Sequence, residues 1–134
     1  RARQIADLSF CSATLHPIVT RIRMPQFFAS EDSAQSVWEK GCTAMEEFFG
    51  LIENRLINQP WWYGDQWTAM DAYLYWVFWR VEGADFDVTP YPRFKDHSRR
   101  VEERPAVQRT LAREKAAEAQ LEAEGLNFKP PPRS

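Results

Sequence analysis

Apolar positions recur at three- and four-residue steps along most of the chain, a spacing that predicts helices. Ile5, Leu8, Ser12, Leu15, Val19 and Ile22 form one stripe of a long amphipathic helix over about Arg1 to Met24. Pro17 lies inside it, cannot donate to the carbonyl of Ala13, and predicts a kink; Pro25 closes the segment. A second helix should start after "SEDS", where Ser30 or Ser33 can cap and Glu31 and Asp32 suit the positive end of the dipole. Its inward stripe reads Val37, Gly41, Ala44, Met45, Phe48, Ile52 and Leu56. A mid-helix glycine is costly relative to alanine, so Gly41 marks a place where the first helix comes close. "NQPWWYG" is a loop. The third helix, about Ala69 to Glu82, is apolar on nearly every face and is therefore central. After the loop "GADFDVTPYP", Pro92 opens a fourth helix with Phe94, His97 and Val101 on one side. Pro105 suits the first turn of a last helix, with Val107, Leu111 and Leu121 inward, which continues as the polar "REKAAEAQLEAEG". "NFKPPPRS" reads as a disordered tail. With no repeats and no convincing strands, the expectation is all-α: a bundle of about five helices.

One carboxylate interrupts the most apolar stretch, "WTAMDAYLYWVFW", and an unpaired buried charge is very costly. The spacing supplies a reason. With Thr68 as N-cap, Asp71 is the third helical residue, and Thr-x-x-Asp is a capping box in which each side chain accepts from the other's backbone N–H. A helix that begins inside a core cannot use water to satisfy its first N–H groups. Thr68 and Asp71 are therefore read as structural, with catalytic use of Asp71 the lesser alternative.

Composition then narrows the function classes. A chain of 134 residues fits one domain large enough to fold without staples. Its formal net charge of −2 gives no electrostatic case for nucleic acid. No apolar run approaches the roughly 20 residues that span a membrane, and no signal peptide is visible. Cys11 and Cys42 lack partners at metal-ligand spacing and are read as buried, reduced thiols in a cytoplasmic protein, with a single disulfide as the alternative. No metal site is expected; Asp85 and Asp87 lack calcium-loop spacing. The first residue is Arg1, which suggests a piece of a longer protein.

"YGDQWTAMDAYL" resembles the G-x-x-(aromatic/aliphatic)-T-x-A-D-A-x-L signature of the C-terminal helical domain of glutathione transferases, with Met70 where a small or aliphatic residue is usual. "RARQIADLSFCSATLHP" is similar to the first helix of that domain in bacterial, beta-class-like members. "YPRFKDHSRRVEERPAVQRTL" resembles the family's segment ending in RPAVQ-x-(A/T)-L. The resemblance covers about residues 1–126, leaving 127–134 as the tail. It implies a two-domain parent: an N-terminal thioredoxin-like domain, absent from this chain, binds glutathione, and the helical domain supplies the electrophile pocket and part of a homodimer interface. Glutathione is then a co-substrate, its thiolate attacking an electrophile, with no covalently bound cofactor.

Residue by residue, the resemblance carries an active-site histidine onto His16, followed here by Pro17 where lysine is frequent. Tyr73 matches an aromatic lining the electrophile pocket. A tryptophan expected seven residues later falls on Arg80, with Trp79 adjacent, so both join the substrate-binding candidates. Ser9 matches a polar position that reaches glutathione bound by the partner subunit, and Arg1 a family arginine. From the residues alone, an ordinary packed or surface histidine is the better reading of His16, and only the resemblance raises it to an active-site candidate; His97 is read as packing. Trp61, Trp62 and Tyr63 are read as packing anchors before pocket walls. The rivals to a transferase domain are a non-catalytic binding or assembly module of the same fold, and a free-standing helical adaptor. The chain alone is expected to fold, to lack activity, and to expose a face around Ser9, His16 and Tyr73 through which it self-associates.

Overall fold

A computed structural model describes residues 2–128; Arg1 and residues 129–134, most of the expected tail, lie outside it. Helices α1 (Ala2–Phe10) and α2 (His16–Arg23) form one rod joined through a π turn, Cys11–Leu15. A 3-10 turn, Pro25–Phe27, leads to α3 (Glu31–Arg55), and then come α4 (Ala69–Glu82), α5 (Pro92–Glu102) and α6 (Pro105–Ala123). The described residues form no strands; one isolated bridge pairs Trp61 with Gly64.

The kink expected at Pro17 takes the form of that π turn. Pro17 has no N–H, and the preceding turn loosens so that His16 N donates to Cys11 O, five residues back. A π turn needs more than four residues to come round. Cys11 therefore lies over Leu15 and is fully buried, whereas Ser12, expected on the stripe, is exposed. Ile5 is also outside the core, at 61% exposed. Leu15, Val19 and Ile22 continue the buried face. A Cβ on Gly41 would meet Ile22 Cγ1 at 3.0 Å, so the glycine does permit the close approach of α2 to α3.

The core centres on Phe49, which the periodicity passed over in favour of its neighbour Phe48. The Phe49 ring lies 4.7 Å from Phe94, 4.8 Å from Phe86, 5.1 Å from Tyr91 and 5.9 Å from Phe78. Phe48 is half-buried against Phe10, and Ala44, expected inward, is exposed. Ala34 is inward instead. On α5, Phe94, His97 and Val101 are all fully buried. Along α6, Val107 and Leu111 are half-buried, but Leu121 is 41% exposed, because α6 packs on the end of α5 and then runs past the bundle.

A carboxylate from α3 starts helix α5. Ser30 occupies the N-cap of α3 without a side-chain bond, and Ser33 lies inside the helix. Helix α5 begins at Pro92, and its N-cap Tyr91 provides no side-chain acceptor. Glu53 of α3 supplies it: Oε1 accepts from Arg93 N at 3.0 Å and Oε2 from Phe94 N at 2.9 Å. Arg93 Nη1 adds an ion pair at 3.1 Å, which balances the half of Glu53 that would otherwise be an uncompensated buried charge.

Candidate functional site

Two clusters of chemistry-bearing side chains flank α4, one inside the bundle and one on its surface.

The inner cluster gathers on Asp71. Its Oδ2 accepts from Thr68 N at 2.8 Å and Thr68 Oγ1 at 3.1 Å; Met70 N in turn donates to Thr68 Oγ1 at 3.3 Å, and the capping box is complete. The carboxylate does more than cap. Oδ1 accepts from Trp62 N at 2.7 Å and from His97 Nε2 at 3.0 Å. Both Asp71 and His97 are fully buried. Burial pushes the Asp71 carboxyl up, but the bonds from His97 and from the N–H groups of Trp62 and Thr68 outweigh it and hold it below its ordinary value. The His97 ring packs between Trp61, at 5.7 Å, and Phe94, at 6.0 Å, and its Nδ1 has no partner. The loop over this cluster is tied down by Asp7 of α1, whose Oδ2 accepts from Tyr63 OH at 2.6 Å and Trp62 Nε1 at 3.0 Å. Trp62 and Tyr63 thus serve as anchors, and Tyr63 also borders a small cavity beside Thr68 and Met70. With every carboxylate oxygen engaged and no access from solvent, this cluster starts α4 and staples the loop; the Asp71 carboxylate has no free valence for a substrate.

Sequence reasoning gave His97 no role beyond packing. The signal was available only in three dimensions, since 26 residues separate it from Asp71.

The outer cluster runs along α2 and α4. Tyr73, Trp76 and Arg80 recur at steps of three and four on α4, so they share a face. His16 opens α2 opposite them. Its Nδ1 lies 2.8 Å from Tyr73 OH, and its ring centroid 4.4 Å from that of Trp76. Burial, and secondarily the Cys11 sulfur, pushes the Tyr73 phenol up, so it stays protonated and can donate to Nδ1. That bond leaves Nε2 of the exposed imidazole facing away from Tyr73. Trp76 and Trp79 also line a cleft between α4 and α6 of about 270 Å³, walled by Ala72, Val107 and Leu111. Arg80 lies over both indoles, 4.3 Å from Trp79 and 6.0 Å from Trp76.

The expected site residues therefore divide. His16 and Tyr73 are in contact, and Trp79 and Arg80 are joined to them through Trp76, which the sequence reading left out. Ser9 is exposed on α1, where its carbonyl accepts from Ser12 Oγ at 3.2 Å; no bond links it to the His16–Tyr73 pair. Cys11 is excluded as a nucleophile: burial pushes its thiol up to about 12, and Sγ contacts Met70 Sδ at 3.5 Å. Cys42 is half-buried rather than buried, and neither cysteine is in a disulfide. Among the described residues no group of three His, Cys, Asp or Glu side chains could hold a metal, and no helix is long and apolar enough to cross a membrane.

No curated protein and no solved structure matches the chain. Residues 35–100, just under half of the chain, match the family model described as Glutathione S-transferase, C-terminal domain, and so support a glutathione transferase-like helical domain built around α3, α4 and α5.

Proposed function

We propose that this domain forms the electrophile pocket of a glutathione transferase, with the α2–α4 face as its working surface. One observation carries the reading. An exposed imidazole, oriented by a phenol, is stacked on an indole that is also the wall of an apolar cleft. Ligand sites join a mostly apolar concavity to a few fixed polar groups, and this face has both. The thiolate in this reading is not Cys11, whose thiol burial pushes up to about 12. We assign it to glutathione held by a thioredoxin-like domain that packs against this face. In that arrangement His16 is the supporting catalytic group, Tyr73 positions it, and Trp76 and Trp79 hold the co-substrate.

Ser9 reaches glutathione held by the partner of a homodimer, and its exposure leaves it available for that contact. Ile5 and Leu51, 61% and 55% exposed, are apolar surface that a second subunit would cover. A cytoplasmic setting and detoxification of small electrophiles accompany this reading.

The test is a panel of electrophile classes offered with glutathione to the two-domain protein. Turnover that falls in His16→Ala while KM for glutathione holds supports the assignment. Absence of turnover across the panel, with glutathione still bound, would favour the non-catalytic module.

A further inference from the structure

The outer cluster contains an imbalance of charge. Arg80 is half-buried, its guanidinium lies on Trp79 and Trp76, and its Nε is buried without a hydrogen-bond acceptor. Arg23, at the end of α2, is also half-buried. No ion pair or hydrogen bond to a carboxylate engages either residue among the described residues. Among the other arginines near α4, Arg55 donates to Trp62 O, Arg93 to Glu53 and Arg100 to Pro60 O, although Arg100 Nε is also buried without an acceptor; Arg104 lies on Trp61 and Trp67, away from the α4–α6 cleft lining. Arg23 ends α2, which packs along α4, and burial, then the charge of Arg80, disfavours its own charge. Glu114, the acidic residue lining the cleft, acts on Tyr75 and is paired with neither.

Two partly desolvated cations without a counter-ion cost stability, and an unpaired buried donor adds to that cost. An arriving oxyanion would relieve both. Arg80 is well suited to receive one, because its planar fork is held in place by two indoles and need not be ordered on binding. The same indoles wall the apolar cleft; Arg80 is not itself part of the lining, so an anion on it lies at the margin, with the body of its molecule reaching Trp76 and Trp79.

We infer that Arg80, assisted by Arg23, is an oxyanion subsite, and that the co-substrate is an aromatic or similarly apolar molecule bearing a carboxylate or sulfonate. The inference rests on the electrophile-pocket reading and names the substrate class for it.

Calorimetric titration of the chain with 2-naphthoate and with 2-naphthamide tests it, since the two probes share shape and differ in charge. Naphthoate should bind at least roughly tenfold more tightly, the scale of a charge-assisted bond in a partly dry site. The preference should shrink with added salt. Arg80→Gln should abolish it, Arg23→Gln should reduce it, and Arg80→Lys should restore part of it, the preference being read in each variant as the ratio of the two affinities. Circular dichroism checks that each variant is folded; if Arg80→Gln is not, Arg23→Gln and Arg80→Lys carry the comparison. Equal affinities for the two probes, or a preference that survives in the variants, overturn the anion subsite and leave the apolar pocket standing. No binding of either probe overturns the pocket as well.

Discussion

The chain's two histidines sit on opposite sides of α4 and are treated in opposite ways. His97 is fully buried, bonded to a carboxylate that itself accepts four hydrogen bonds, and packed between Trp61 and Phe94. His16 is exposed, bonded to a phenol, and stacked on an indole at the edge of a cleft. The first arrangement spends its hydrogen-bonding capacity on holding α4 to α5 and the 58–64 loop. The second keeps Nε2, an open cleft and two unpaired arginines available. Strong coupling to a carboxylate marks the structural side of this molecule, and an exposed imidazole beside an apolar cleft marks the face we propose as the working one.

The largest effect that would break this comparison is on the inner side. Asp71→Ala should destabilise the fold by about 2–5 kcal/mol, from a lost cap and stranded buried donors. Urea unfolding of Asp71→Ala, Thr68→Ala and the double variant measures it, and strictly additive losses would contradict a cooperative capping box.

Acid sharpens the same point. The folded Asp71 carboxyl lies below the ordinary value of 3.8, so its contribution is present above that value and is lost as pH falls through the lower, folded one. Unfolding curves between about pH 6 and pH 2 should fall less steeply for Asp71→Asn than for the wild type. Parallel curves would remove the carboxylate from its structural role.

His97→Ala should cost less than Asp71→Ala, about 1–3 kcal/mol, because the carboxylate keeps its bonds from Trp62 and Thr68. His16→Ala should be the mildest, within about 0.5 kcal/mol of the wild type, as for an exposed residue. Thermal melts of the two variants side by side rank them, and an equal loss would erase the distinction between the two sides.

The sequence disclosed the local halves of both clusters and concealed the rest. Thr68 and Asp71 are three residues apart, so a one-dimensional pattern can carry their pairing. His97 and Glu53 reach their partners across 26 and about 40 residues, and nothing in local spacing marks such a meeting. The helices themselves were legible because apolar periodicity reports burial. Phe48 and Phe49 were confused because adjacent aromatics satisfy the same pattern within a fraction of a turn. Ser12 was misplaced because a π turn shifts the register without changing the residue count. His16, Tyr73, Trp79 and Arg80 came from family likeness rather than periodicity, whereas Trp76, which connects them, was absorbed into the apolar run around it.

The central claim, that ligand meets the His16 face and spares the His97 hub, can be read in one spectrum, because the chain has only two histidines. The imidazole carbon-bound proton resonances should be followed by NMR as neutral 2-naphthamide is titrated in, which makes the outcome independent of the anion subsite. The account predicts a progressive, saturable shift of the His16 signal through its stacked Trp76, with the His97 signal stationary. A shift confined to His97, or a titration in which His16 never moves, would contradict it.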